Sequence, residues 1–264
     1  TAGKVTMYNC GPTVYSDAHI GNFRSYIFAD LIRRYLEYKG LNVIQVVNIT
    51  DVGHLTDDGD EGDDKLEVAA KKEKKHPLEI AETFTKQFLL DWETLNLREP
   101  EFRPKATETI PEIIELTKLL LEKGHAYESN GNIYFDISSF PDYGKLSGNK
   151  LEYLNQSRVQ SDESKKNKHD FVLWFSNSKF KNHILKWDSP WGEGYPGWHM
   201  ECSCMSAKFL TAAYADGSFN PDKFQTIDIH TGGEDNKFPH HECEIAQTQG
   251  AVDKPYVNVW MHAK

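Results

Sequence analysis

Apolar residues in the first fifty positions form two short runs with a periodic segment between them. The runs at residues 5–8 and 43–49 predict strands, and the second is almost continuously apolar, as is typical of a parallel sheet. Residues 19–38 repeat apolar side chains at three- and four-residue spacing, which predicts a helix that Gly40 ends. The predicted core face of this helix comprises Phe23, Ile27, Leu31, Ile32, Tyr35 and Leu36.

Two amphipathic helices are predicted next, at residues 77–97 and 110–123. Thr109 and Glu112 have the spacing of a capping box at the start of the second helix. From residue 126 the pattern changes to strands, with a hairpin around Asn130-Gly131. Later strands are predicted at residues 171–175, 225–229 and 257–261.

The order of these elements predicts an α/β fold. A strand–helix–strand unit at the start is typical of a doubly wound parallel sheet, a Rossmann-like nucleotide-binding domain. The hairpin in the middle of the chain predicts an inserted connective segment. We expect residues 1–125 to form the first half of the domain, 126–190 the insert and 191–264 the second half.

Composition narrows the class of protein. The chain has 264 residues, of which 39% are hydrophobic, enough for one large domain with an insert. It has no run of about 18 apolar residues and does not start like a secretion signal, so we expect no membrane span. Four cysteines are typical of metal-binding thiols in a reducing cytoplasm, where we expect the protein to be. A net charge of −10 argues against broad nonspecific nucleic-acid binding.

Three charged stretches have ordinary interpretations. The acidic run at residues 57–64 lacks the ligand spacing of a calcium loop, and we interpret it as a solvated turn before a helix. The lysines between residues 71 and 75 could contact RNA phosphates, but a solvated helix face is the simpler interpretation. Residues 152–169 are polar and predict an exposed loop.

Cysteine, histidine and glutamate side chains at four distant positions form a candidate zinc set. Cys10 follows the first strand, and Cys202 lies in a tryptophan-containing segment. His240 and Glu244 lie one turn apart on a helix that Pro239 begins and Gly250 ends, so they share a face. Zinc accepts sulfur, nitrogen and oxygen ligands. On the residues alone, a closed structural site is favoured over a site that binds substrate.

Two glycine-containing turns are candidate nucleotide contacts. His19-Ile20-Gly21-Asn22 precedes the first helix, where Gly21 allows close approach and the helix N-terminus offers N–H groups to phosphate. Taken alone, an ordinary helix-capping or buried histidine is the favoured interpretation of His19. The segment at residues 228–235 could hold an adenosine, or form only a tight turn before a helix.

Together these motifs resemble the class I aminoacyl-tRNA synthetases, and specifically the cysteinyl-tRNA synthetase family. The resemblance covers nearly the whole chain. It rests on residues 8–15, 19–22, 48–52, 170–174, 189–192, 196–203 and 238–247.

The resemblance implies a two-step reaction, in which ATP activates cysteine to cysteinyl-adenylate and the cysteine then passes to its tRNA. It implies these zinc ligands: Cys10, Cys202, His240 and Glu244. It implies ATP contacts, with Mg²⁺, at His19, Gly21, Asn22, Gly233 and Asp235, of which His19 and Asn22 would be catalytic. It implies cysteine contacts at Gly11, Thr50, Trp198 and His230. Zinc would then bind the cysteine thiol, and His199 and His241 would orient neighbouring groups.

The chain departs from the family pattern at three positions: Asn22 replaces a histidine, Tyr195 an arginine and Cys243 an asparagine. We expect Cys204 and Cys243 not to bind the metal. The family's Lys-Met-Ser-Lys-Ser loop and anticodon-binding region are not in the chain, and relatives have a leading segment before Thr1. We therefore expect a catalytic core of a longer, monomeric protein that adenylates poorly by itself.

Two other functions remain open. A cysteine ligase that joins cysteine to an amino sugar would share the zinc and ATP sites but would not bind tRNA. A non-catalytic module that binds zinc and nucleotide is the second alternative.

Overall fold

A computed structural model describes residues 3–52, 65–149, 164–177 and 183–264. Strands and helices alternate at both ends of the chain, and short strands occupy its middle. The strands are β1 (Lys4–Asn9), β2 (Asn42–Val47), β3 (Ala126–Ser129), β4 (Asn132–Phe135), β5 (Phe171–Phe175), β6 (Tyr195–Pro196), β7 (Ile227–Gly233) and β8 (Val257–Ala263). The helices are α1 (Ile20–Tyr38), α2 (Lys65–Glu73), α3 (Pro77–Thr94), α4 (Ile110–Glu122), α5 (Trp198–Leu210) and α6 (His240–Val252).

The central sheet is parallel, in the order β2-β1-β7-β8. The predicted α/β fold with a parallel sheet is therefore confirmed. Tyr8 of β1 lies opposite Val46 of β2 and His230 of β7. Because all four strands run the same way, the chain leaves each of them at one common edge, and binding residues concentrate at such an edge.

Helices cover both faces of this sheet. On one face α1 packs against β1 and β2, with Met7, Ala29 and Val43 as its buried centre. On the other face α5 packs against β1 and β2, and Tyr8 and Met200 belong to the main apolar core there. The side chains that reach the carboxyl edge are therefore held between packed layers.

The middle of the chain forms a second, antiparallel sheet in the order β3-β4-β5-β6. Its last strand extends to Pro196, and α5 begins two residues later. The predicted hairpin between β3 and β4 is confirmed, with Asn130 and Gly131 at positive φ in the turn. The division at residues 125 and 190 stays a prediction.

The predicted core face of α1 is partly correct, since Phe23 is buried and Ile32 and Leu36 pack against buried residues. Leu31 and Tyr35 are exposed, however, and the buried side of the helix includes Asp30 and Arg33. Arg33 donates to Gln45 and pairs with Glu101, so its charge is satisfied inside the fold. Hydrophobic periodicity could not identify a helix face whose buried contacts are partly ionic.

Two predicted boundaries and one predicted helix cap also differ. Helix α6 continues through Gly250 to Val252, and the small residue at position 250 leaves room for the ring of His125. Thr109 makes no capping bond, because its hydroxyl donates to the carbonyl of Ala106. Strand β7 begins at Ile227. The acidic run at residues 57–64 and the part of the expected loop at residues 152–163 lie outside the described residues.

Candidate metal and nucleotide site

The four predicted metal ligands converge under the carboxyl edge of the sheet. Their ligand atoms all lie within 4.8 Å of one another. The Cys10 sulfur is 4.0 Å from the Cys202 sulfur and 3.7 Å from Oε1 of Glu244, and His240 Nε2 is 3.1 Å from that oxygen. Two thiolates on one tetrahedral zinc at about 2.3 Å would lie about 3.8 Å apart. The arrangement therefore fits a zinc-sized ion without large movement.

Backbone contacts place Cys10 at the end of β1. Its N–H donates to the carbonyl of Thr231, which ties it to β7. The next residue, Gly11, approaches Asn48 so closely that an added Cβ would lie 1.6 Å from the Asn48 carbonyl oxygen. Only glycine fits there, and its N–H also donates to Oδ1 of Asn48.

The metal-ligand set combines one neutral imidazole with two protonated thiols. Burial lowers the pKa of His240 to about 3, so this ring is neutral at physiological pH. Burial and the nearby Cys202 raise the pKa of Cys10 well above its usual value. Burial also acts to raise the pKa of Glu244, but the neighbouring His230 and His240 outweigh it and hold that pKa below the usual range. A divalent cation would stabilise the deprotonated thiols.

Outer contacts orient two of the ligands. Nδ1 of His240 lies 2.8 Å from Nδ1 of His199, and its ring stacks on Trp198 at 4.2 Å between centroids. Oε2 of Glu244 accepts from the hydroxyl of Tyr256 at 3.0 Å and lies 2.9 Å from Nε2 of His230. Such outer partners determine the direction in which metal ligands point.

The structure also brings together a second group that the sequence did not indicate. This group also offers ligand atoms that all lie within 4.8 Å of one another, from Cys10, Glu244, His230 and His241. Nε2 of His241 lies 3.4 Å from the Cys10 sulfur, and its Nδ1 is 2.8 Å from Nε2 of His262. The sequence analysis gave His241 only an orienting role and did not include His262 or Tyr256. The adjacent pair His240-His241 could have indicated this second group. The side chains of neighbouring helical residues point about 100° apart, so both can border a cluster that lies between the two directions.

A cavity of about 640 Å³ opens above the cluster. Its wall includes Cys10 and Trp198, which connect it to the metal-ligand set. These predicted nucleotide and substrate residues also line it: Gly11, His19, Gly21, Asn22, Gly233 and Asp235. The cavity thus extends from the N-terminus of α1 to the thiol of Cys10.

His19 caps helix α1 at the cavity mouth. Its Nδ1 accepts from the N–H groups of Gly21 and Asn22, and the Asn22 side chain accepts from the N–H of His19. The ring lies against Gly21, where an added Cβ would be 2.9 Å from its Cε1. The capping interpretation of His19 is therefore correct, and its catalytic role stays a prediction.

Two predicted cysteine contacts lie behind the cavity wall. Thr50 is buried and accepts from the side-chain amide of Asn48, and His230 is fully buried beside Glu244. Neither is among the residues that line the cavity. At the other wall, Gly233 donates to the side chain of Asn236, and an added Cβ would lie 2.3 Å from the Asp235 carboxylate.

The fold is that of a class I synthetase. The Mycobacterium tuberculosis methionyl-tRNA synthetase, solved in complex with methionyl-adenylate, is 14% identical, with a TM-score of 0.68 over 96% of this chain and 56% of that one. At this identity the likeness shows the fold alone.

The family follows from closer matches. A family model described as the class I (C) tRNA synthetase catalytic domain matches residues 1–264. Cysteine–tRNA ligases of Treponema denticola, Chlorobaculum tepidum and Thermus thermophilus are 51%, 50% and 48% identical to this chain, each over 98% of it. The chain belongs to this cysteine-type family of class I tRNA synthetases. It spans about half the length of these relatives, at 50%, 52% and 51% of each.

Within the described residues, no helix is long and apolar enough to cross a membrane.

Proposed function

We propose that this chain is the cysteine-activating part of a cysteine–tRNA ligase. It would activate cysteine with ATP to cysteinyl-adenylate and contribute to its transfer to the cysteine tRNA. The observation that carries the proposal is a two-thiol, one-imidazole, one-carboxylate cluster directly beneath a cavity that a helix N-terminus borders. The names of the relatives support the same activity.

We infer that Cys10, Cys202, His240 and Glu244 hold zinc. The donor types and spacings fit this ion, and the buried Glu244 carboxylate already has its second oxygen engaged by Tyr256. Zinc so bound would supply a Lewis acid that takes the substrate thiol as a thiolate. Zinc would then make the site selective, because pocket shape separates cysteine from serine only weakly.

Access to the cluster favours substrate binding over a closed structural site. Cys10 belongs both to the metal-ligand set and to the cavity wall, and Trp198, which stacks on His240, lines the same cavity. A cysteine in the cavity could therefore bring its thiol to the ion while its carboxylate points to the mouth. Thr50 and His230 would support the pocket from behind its wall.

At the mouth, ATP phosphates would meet the N-terminus of α1. The positive end of the helix dipole favours anions there. His19 and Asn22 cap that end of the helix and line the cavity, so they would face the phosphates, with Mg²⁺ bound to ATP. Gly21, Gly233 and Asp235 would border the adenosine. These residues mainly orient the cysteine carboxylate toward the α-phosphorus, which is what adenylyl transfer requires of a protein.

The test combines metal analysis with calorimetry. We expect one zinc per chain and cysteine binding that is lost after chelation and restored by zinc, while serine binds at least about 100-fold more weakly. One zinc with no cysteine binding would contradict the recognition role and leave a structural metal.

Acceptor assays on the full-length protein separate the remaining functions. We expect cysteine-dependent exchange of pyrophosphate into ATP, followed by charging of a cysteine tRNA transcript. Transfer to an amino sugar instead of tRNA would establish the ligase alternative, and zinc and ATP binding without exchange would establish a non-catalytic module. The cytoplasmic location, the monomeric state and the domain division stay predictions.

A further inference from the structure

The side chain of Tyr8 packs in the same buried cluster as two members of the metal-ligand set, Cys10 and Cys202. Residues two apart on a strand point to the same face, so Tyr8 and Cys10 leave β1 on the same side of the sheet. The Tyr8 ring lies opposite His230 on β7, with ring centroids 5.0 Å apart, and its side chain is fully buried.

The groups that act on the Tyr8 hydroxyl are the thiols. After burial, the nearby Cys202, Cys10 and Glu244 raise the pKa of Tyr8 well above its usual value, and Cys202 also interacts with its side chain directly. Yet the Tyr8 hydroxyl makes no hydrogen bond of ordinary geometry within the described part of the chain. A buried donor without a partner loses its hydrogen bonds to water and destabilises the fold, so an isolated hydroxyl at this position requires a partner.

The protonated thiol of Cys202 is a poor partner for that hydroxyl, because neutral sulfur is a weak acceptor. A thiolate accepts far more strongly, since the hydrogen bond becomes charge-assisted. The nearby Oδ1 of Asn48, 4.0 Å from the Cys202 sulfur, is itself an acceptor and cannot stabilise a thiolate.

We propose that Tyr8 is a positioning residue that donates an O–H···S hydrogen bond to the Cys202 thiolate when the site holds its metal ion. The inference rests on the proposed zinc site. Glu244 and His240 already have outer partners in Tyr256 and His199, and Tyr8 gives the Cys202 sulfur the corresponding one. The hydrogen bond withdraws charge from the thiolate and keeps the ion more attractive to a further sulfur ligand.

The experiment compares Tyr8→Phe with the wild-type chain after loading with cobalt(II), which reports thiolate ligation by its charge-transfer absorption. Without the donor the thiolate holds its electrons less tightly, so we expect the sulfur-to-cobalt band to move to lower energy. Zinc competition should show metal affinity reduced about tenfold. The zinc-bound thiolate should also react faster with an alkylating reagent.

Tyr143→Phe is the matched control. It removes another buried tyrosine hydroxyl, 3.4 Å from the sulfur of Cys243, a cysteine outside the metal-ligand set. Its cobalt spectrum and metal affinity should equal those of the wild type. A Tyr8→Phe spectrum and affinity equal to the wild type would overturn the inference while the zinc site stands. A wild-type chain that binds neither ion would overturn both.

A measurement on the wild type keeps the test independent of how the variant folds. In the chain loaded with a spin-active cadmium isotope, a hydrogen bond to the ligand sulfur should transmit scalar coupling from the metal to the Tyr8 hydroxyl proton. In the wild type, a Tyr8 hydroxyl proton coupled to cadmium supports the proposal, and a Tyr8 hydroxyl without this coupling contradicts it.

Discussion

The two ends of the cavity are built in opposite ways: its mouth lies at the N-terminus of α1, and its floor is the metal-ligand set. At the mouth, His19, Gly21 and Asn22 are exposed and bond to one another within four residues. At the floor, Cys202 and Glu244 are buried and meet partners brought from distant strands and helices. The mouth is thus a local structure, whereas the floor exists only when several elements are packed.

This difference has a physical consequence for substitutions. A change at the mouth removes one exposed cap and leaves the rest of the fold in place, so its effect should be confined to the nucleotide. A change at the floor leaves buried polar groups without partners, and these groups include the proposed metal ligands. Binding of metal and folding should therefore be coupled at the floor but not at the mouth.

The largest expected effect is at the floor. Cys202→Ser replaces a sulfur ligand with a poor oxygen donor, and we expect zinc affinity to fall by more than about 100-fold, with cysteine binding lost in parallel. Zinc titration against a chromophoric chelator measures the first quantity and calorimetry the second. Cys204→Ser is the control, because Cys204 is equally buried on α5 but lies outside the metal-ligand set. Full cysteine affinity in a zinc-free Cys202→Ser protein would contradict the coupling.

The second prediction concerns pH. The hydrogen bond with Cys10 lowers the pKa of Cys202, but burial and the charge of Glu244 outweigh it, so the pKa of both thiols is raised. Zinc must therefore displace two protons at neutral pH, whereas His240, with a pKa of about 3, is already neutral. Zinc affinity should rise with pH, by up to about 100-fold per unit below the thiol pKa values. Calorimetry in buffers of different ionisation enthalpy counts the released protons, and zero protons would show that the thiols are not ligands.

The smallest effect is at the mouth. His19→Ala removes the cap of α1 and should lower the free energy of unfolding by about 1 kcal/mol or less, measured by urea titration. ATP affinity should fall about tenfold or more, with zinc content unchanged. His76 offers the matched control, because it caps α3 in the same way, with Glu79 as its capping-box partner, but lies away from the cavity. His76→Ala should lose similar stability and bind ATP normally; equal ATP loss in both variants would mean that capping alone explains His19.

Elements whose signal is local were predictable. The βαβ unit, the hairpin at Asn130-Gly131 and the His19 cap depend on periodicity, turn residues and N–H groups close in the chain. The end of α6 was not predictable in this way. Gly250 lies inside the helix, and a glycine at this position leaves room for the ring of His125. Part of the core face of α1 was missed for a related reason, since Arg33 is buried through an ion pair with Glu101, far along the chain.

For the candidate site, the sequence by itself determined the types of chemistry: two thiols, an imidazole and a carboxylate, with His240 and Glu244 one helical turn apart. Only the tertiary structure decided that Cys10 and Cys202, 192 positions apart, would come within 4.0 Å of each other. It also brought Tyr8, Tyr256 and His262 to the cluster. The physical reason is that strand pairing and helix packing join residues without regard to their separation in sequence, and nothing local in the chain records such contacts.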